Sequence, residues 1–122
     1  MTRILLVDDE PDIANSLKVG LERKGFSVSA FTDAEEALAQ YKPGSYDLLL
    51  IDIRMPKLNG FELVREIRKV DPNVTVWFLT AFEVHNEEFK IMFPHLDVKS
   101  FIRKPVSVSD LSNHIREKLV VS

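Results

Sequence analysis

Short apolar runs alternate with longer stretches in which apolar residues recur every three or four positions. Ile4, Leu5, Leu6 and Val7 form the first run. Phe26, Val28 and Ala30, with Phe31 beside them, form a second, more strictly alternating one. Leu48, Leu49, Leu50 and Ile51 form the third. Val74, Val76, Trp77, Phe78 and Leu79 form the fourth, and Val98, Phe101 and Ile102 a weaker fifth. A strand covered on both faces has no solvent side to present. Uninterrupted apolar runs therefore predict the middle of a parallel sheet, and the weaker second and fifth runs predict its edges.

The intervening stretches carry the helical period. Ile13, Leu17, Gly20 and Leu21 share a face over 12–24, and Gly25 stands where a helix C-cap glycine belongs. Over 33–40 the apolar positions are Ala34, Ala37 and Leu38, with Thr32 and Glu35 at capping-box spacing. Over 60–70 they are Phe61, Leu63, Val64 and Ile67. The last helix is predicted over 108–119, from Leu111, Ile115 and Leu119, with Ser107 and Asp110 as its cap. A fourth helical segment around Phe89, Ile91, Met92 and Phe93 is cut short by Pro94. Five βα units in succession predict an α/β fold of three layers, α-β-α, joined by right-handed crossovers. The expectation is one domain over residues 1–122.

Composition narrows the chemistry. The 122 residues are 45% hydrophobic and 29% charged, with only 4 glycines and 6 prolines, the balance of a folded globular chain rather than a disordered one. The 16 basic and 19 acidic residues give a formal charge of -3, with no dense basic run, so direct nucleic-acid binding is not expected. There is no cysteine, which removes thiolate nucleophiles and cysteine-ligated metals. The uninterrupted apolar runs reach only four residues, too short to span a bilayer, so no membrane association is expected. Arg3 and the short run after it do not make a signal peptide, and a cytoplasmic location is the expectation.

Ligands of doubly wound sheets bind beyond the carboxyl ends of the strands. Those ends carry Asp8, Asp9 and Glu10 after the first run, Asp52 after the third, Thr80 after the fourth and Lys104 just past the fifth. They converge wherever strand one lies beside strand three. Gathered carboxylates repel one another unless compensated. A hard divalent cation such as Mg²⁺ compensates them with oxygen ligation, and a lysine ammonium does so directly. The same set makes a phosphoryl site: metal and lysine neutralise phosphoryl oxygens, a hydroxyl donates a hydrogen bond, and a carboxylate attacks. Asp52, alone at the end of the most apolar strand, suits the nucleophile. Asp8 and Asp9 are adjacent and cannot point the same way, so one is expected to bind metal directly and the other through water.

Each residue alone has a plainer reading. Asp9 before Pro11 fits a helix N-cap, Thr80 fits a strand former, and Lys104 fits a solvated surface position. The joint pattern from four separate strand ends favours the phosphoryl site. Its rivals are a Mg²⁺-dependent phosphatase or phosphotransferase acting on a diffusible substrate, and a flavodoxin-like cofactor binder. The first lacks a recognisable substrate cap. The second lacks a glycine-rich phosphate loop, since Glu10, Pro11 and Asp12 occupy that position.

The chain closely resembles the receiver domain of two-component response regulators. The resemblance is carried by ILLVDDEPDI at 4–13, DLLLIDIRMPKLNGFEL at 47–63, FLTAF at 78–82 and FIRKP at 101–105. It implies a (βα)5, flavodoxin-like fold with strand order 2-1-3-4-5. It implies that Asp52 is the phosphoacceptor, charged from the phosphohistidine of a sensor histidine kinase or a phosphotransfer protein. Asp9 and Asp52 would ligate Mg²⁺ directly, Asp8 mainly through water, and Arg54 through its backbone carbonyl. Thr80 and Lys104 would contact the phosphoryl group. Phe101 would be the switch aromatic that moves with Thr80, and Pro105 would follow a cis bond. Met55, Pro56 and Gly60 match the turn after the phosphoacceptor. Such a chain is a signalling switch rather than an enzyme turning over a diffusible substrate, and its state is read by an output domain or effector protein. A degenerate receiver acting as a constitutive interaction module is disfavoured by the intact acid, hydroxyl and lysine set.

The resemblance is weakest over 85–98, HNEEFKIMFPHLDV, which lacks the usual alanine-rich fourth helix and carries Asp97 and Val98 where small residues are common. Arg54, two beyond Asp52, and Glu83, three beyond Thr80, are placed to pair across the site entrance or to face solvent. His85, His95 and His114 have no partner at metal-ligand spacing and are expected at solvated positions, so the phosphodonor histidine belongs to another protein.

Overall fold

A computed structural model describes residues 1–81 and 100–120. Its elements run β1 (Arg3–Val7), α1 (Pro11–Arg23), β2 (Ser27–Phe31), α2 (Ala34–Gln40), β3 (Leu48–Asp52), α3 (Gly60–Arg68), β4 (Thr75–Thr80), β5 (Ser100–Arg103) and α4 (Val108–Ile115), followed by a π-helical turn over Arg116–Val120. The strands form one parallel sheet in the order β2-β1-β3-β4-β5. The expected order is thus observed, with β2 and β5 at the edges. The expected fourth helical segment, together with Glu83, His85, His95, Asp97 and Val98, lies outside the described residues.

Strand alternation divides the core in two. Leu5, Val7, Leu49, Ile51, Val76 and Phe78 face one side and pack with Ala34 and Ala37 of α2 and Leu63, Val64 and Ile67 of α3. Ile4, Leu6, Leu48, Leu50, Trp77 and Leu79 face the other and pack with Leu17 and Leu21 of α1 and Leu111 and Ile115 of α4. Every residue of β3 is buried, which explains why its run has no polar alternation.

Helix ends refine the sequence reading. Gly25 has φ of 98°, a left-handed conformation that glycine enters without steric penalty, and it follows α1 as expected. Ser107 caps α4 by accepting from the Asp110 amide at 3.0 Å. Asn59 and Glu62 form a reciprocal capping box at the start of α3. The Thr32 cap is corrected: Asp33 is the N-cap of α2, accepting from the Glu35 and Glu36 amides at 2.9 and 3.4 Å. Its carboxylate also complements the positive helix end, which a threonine hydroxyl cannot do. The N-cap of α1 is Glu10, not Asp9, and it makes no side-chain cap hydrogen bond. The last helix keeps α geometry only to Ile115 before the π-helical turn.

Candidate functional site

The alternation that builds the core also delivers the polar residues. Asp8 and Asp52 continue the faces of Leu6 and Leu50, on the α1 and α4 side of the sheet. Backbone bonds extend the ladders past the strand ends and fix these positions. Asp8 N–H donates to the Phe31 carbonyl at 3.1 Å, Ile53 N–H to Leu79 at 3.1 Å and Lys104 N–H to Thr80 at 2.7 Å. The Lys104–Pro105 peptide bond is cis, as the resemblance implied.

Lys104 is the centre of the arrangement. Its Nζ lies 2.7 Å from Asp8 Oδ2, 3.5 Å from Asp52 Oδ2 and 3.8 Å from Glu10 Oε1. Asp8 is fully buried, Asp52 is 6% exposed and Thr80 is 3% exposed. Asp8 also accepts from the Glu10 amide at 3.0 Å, through Oδ1. The resulting pocket holds more negative than positive charge in a desolvated setting. Burial pushes the Asp52 carboxyl up to about 7, the Asp8 charge adds to this, Lys104 pulls it back, and Asp9 raises it further through a hydrogen bond and its charge. For Lys104, burial lowers the ammonium, but Asp8, Asp52 and Glu10 together outweigh it and hold the group above its ordinary value.

The donor set fits a hard cation. Carboxylate oxygens of Asp8, Asp9 and Glu10 lie within 4.8 Å of one another. Asp8 Oδ2 is buried against the Lys104 ammonium, 2.7 Å away. Clustered carboxylate oxygens that outnumber the nearby cation are what Mg²⁺ takes. In sequence Glu10 stands as the third acid of its run and in the place of a phosphate loop. The structure makes it a rim residue within reach of Lys104, and only the fold could show that.

Phe101 stacks on Phe78 with ring centroids 5.8 Å apart, and Phe61 meets Phe78 edge-on at 5.0 Å. These rings line the α2 and α3 side of the sheet, where Thr80 also projects. Phe101 is half-buried there. Arg54 is exposed at the mouth of a cleft of about 440 Å³ that Asp9, Ile53, Met55 and Phe61 also line. A second cleft of about 530 Å³, mainly apolar, opens beside Lys104 between Ile13 and Leu17 of α1 and Pro105 and Val106. His114 is not a solvated residue: it is half-buried, with its ring 4.7 Å from Trp77 on the buried face of the sheet.

Comparison with known proteins agrees with this geometry. The response regulator receiver domain family matches residues 4–116. The response regulator receiver protein CpdR of Brucella abortus is 31% identical over 125 residues, covering 100% of both chains. The transcriptional regulatory protein QseB of Haemophilus influenzae is 32% identical over 93% of this chain but only 51% of its own length. The chain spans about half the length of several such transcriptional regulators. Among solved structures, a CheY-like receiver domain protein from Methanospirillum hungatei superposes with a TM-score of 0.86 at 32% identity, covering 99% of this chain and 95% of that one. The response regulator TrrA of Thermotoga maritima, solved in complex with Mg²⁺-BeF, gives 0.80 at 32% identity over 96% of this chain and 98% of its own. With strand order, strand-end acids and lysine all in agreement, the chain belongs to the response regulator receiver domain family of two-component systems.

Proposed function

We propose that the chain, as one receiver unit over residues 1–122, accepts a phosphoryl group on Asp52 and switches partner binding in response. The observation that carries this reading is a nearly buried carboxylate at the end of the central strand, 3.5 Å from a lysine ammonium and beside two further acids. The donor is the phosphohistidine of a sensor histidine kinase or of a phosphotransfer protein. A related segment within the sensor protein EvgS of Escherichia coli, 34% identical over 93% of this chain, supports a place in such a relay. The apolar cleft between α1 and Val106 gives a donor helix a surface beside the acids. This reading places the chain in the cytoplasm, where ATP charges kinase histidines.

The ionised Asp52 carboxylate forms the new O–P bond. The P–N bond breaks, and its electron pair returns to the donor imidazole nitrogen. Lys104 offsets charge on the phosphoryl oxygens, and the Thr80 hydroxyl donates to one of them. Asp9 and Asp52, the Arg54 carbonyl and, through water, Asp8 would hold Mg²⁺, which supplies charge neutralisation of the carboxylates and phosphoryl oxygens when bound. The product reverts when water attacks the acyl phosphate, so the chain promotes its own phosphorylation and dephosphorylation without turning over a diffusible substrate. Phosphorylating Asp52 adds negative charge beside Lys104, whose ammonium then pairs with a phosphoryl oxygen, and draws Thr80 toward the site. Phe101 then repacks, and the β5 surface changes its affinity for an output domain or effector protein.

Acetyl phosphate tests the chemistry. With Mg²⁺ the intact mass rises by one phosphoryl group, and with a chelator or in Asp52→Asn it does not. An unchanged wild-type mass, where another receiver is labelled, overturns the reading.

A further inference from the structure

Gly60 opens α3 and lies against the backbone that leaves β3. Its N–H donates to the Ile53 carbonyl at 2.9 Å. A Cβ at this position would fall inside contact distance of the Asp52 carbonyl oxygen, 2.9 Å from Ile53 Cα and 3.1 Å from the Asp52 carbonyl carbon. All three neighbours are backbone atoms, and none can swing aside as a side-chain tip would. The two elements that meet here are both held. Leu63, Val64 and Ile67 of α3 are fully buried, and Leu48 to Ile51 of β3 are buried and paired on both sides. The backbone that a Cβ would press on is that of Asp52 and Ile53, which the ladder to Leu79 holds from its other side.

We propose that Gly60 is a positioning residue. Its missing side chain lets α3 close onto β3 and so sets the place of Asp52 relative to Lys104, Asp8 and Asp9. This rests on the reading of Asp52 as the phosphoacceptor. Asp52 reaches the Lys104 ammonium at 3.5 Å, a spacing that a shift of a few tenths of an ångström alters materially. Group transfer is sensitive to such shifts because attack requires a near-aligned approach.

The test compares wild type, Gly60→Ala and Ile67→Val, the last loosening the packing of the same helix two turns away. Thermal melts and the rate of mass gain from acetyl phosphate with Mg²⁺ are measured over a range of donor concentrations. The maximal rate constant of folded Gly60→Ala is expected to fall by about tenfold or more with little change in the half-saturating donor concentration. Its Asp52 and Ile53 amide resonances are expected to move. Ile67→Val is expected to melt lower and keep the wild-type rate. If Gly60→Ala is unfolded, the comparison is repeated in trimethylamine N-oxide, which favours compact states. A wild-type rate in folded Gly60→Ala overturns the proposal, as does an equal loss of rate in Ile67→Val. Failure to fold even with the osmolyte overturns it too, since the glycine would then serve the fold rather than Asp52. No mass gain in wild type itself overturns the phosphoacceptor reading and this proposal with it.

Discussion

At the scale of single residues, the site is a desolvated excess of negative charge held by one ammonium. In the metal-free protein the Asp52 carboxyl, ordinarily near 3.8, is pushed up to about 7, chiefly by burial and then by Asp8. The folded chain therefore keeps a proton that the unfolded chain loses, and stability falls as pH rises from about 4 to about 7. Asp52→Asn is permanently neutral and escapes this loss. Without divalent cations it should melt higher than wild type at pH 8, by on the order of 5 °C, with the gap closing towards pH 4. A gap equal at both pH values would contradict this origin. Lys104→Ala acts in the other direction. It leaves fully buried Asp8 without its ion pair at 2.7 Å, and should destabilise the fold by roughly 1–3 kcal/mol in chemical denaturation. The acids, threonine and lysine are legible in sequence because their residue types stand at strand ends. Distances are not, so the reach of Glu10 to Lys104 and the packing of His114 on Trp77 appear only in the fold.

At the scale of elements, periodicity places the strands well because burial leaves no choice of face. Leu48 to Ile51 are wholly buried, and an amphipathic helix, which turns part of each turn to solvent, does not reproduce four successive buried residues. Helix ends are harder to read, since several capping residues compete within one turn. Thr32 and Asp33 are adjacent acceptors, and the carboxylate takes the cap. Asp33→Ala should therefore cost about 1 kcal/mol of stability, and Thr32→Ala much less, in parallel denaturant titrations. The reverse order would restore the threonine cap. Leu111, Ile115 and Leu119, at intervals of four, predict a last helix that runs on to position 119. That spacing does not distinguish an α turn from the π-helical turn over Arg116–Val120. Arg116 leaves this turn to donate to the Lys24 carbonyl, with its guanidinium 5.5 Å from the Phe26 ring. It thereby ties the chain after α4 to the end of α1.

At the scale of the whole molecule, two apolar layers clamp one sheet, and the only charged or hydroxyl side chains buried at its carboxyl end among the described residues belong to the site. The order β2-β1-β3-β4-β5 sets Asp8 beside Asp52 and leaves Phe101 on an edge strand, where it can repack without opening the centre of the sheet. A beryllofluoride adduct, which stands in for an acyl phosphate, should move amide resonances of Thr80 and β5 more than those of β2 and α2. Equal or absent changes at β5 would contradict the coupling of Asp52 to the Phe101 surface. The central claim is that Asp52 becomes an acyl phosphate, and borohydride trapping reads it directly. Reduction of a phosphorylated aspartate gives homoserine, which peptide mass spectrometry locates. After treatment with a phosphodonor and Mg²⁺, homoserine is predicted at position 52 and is absent when Mg²⁺ is chelated; homoserine at another aspartate, with Asp52 intact, would contradict the account.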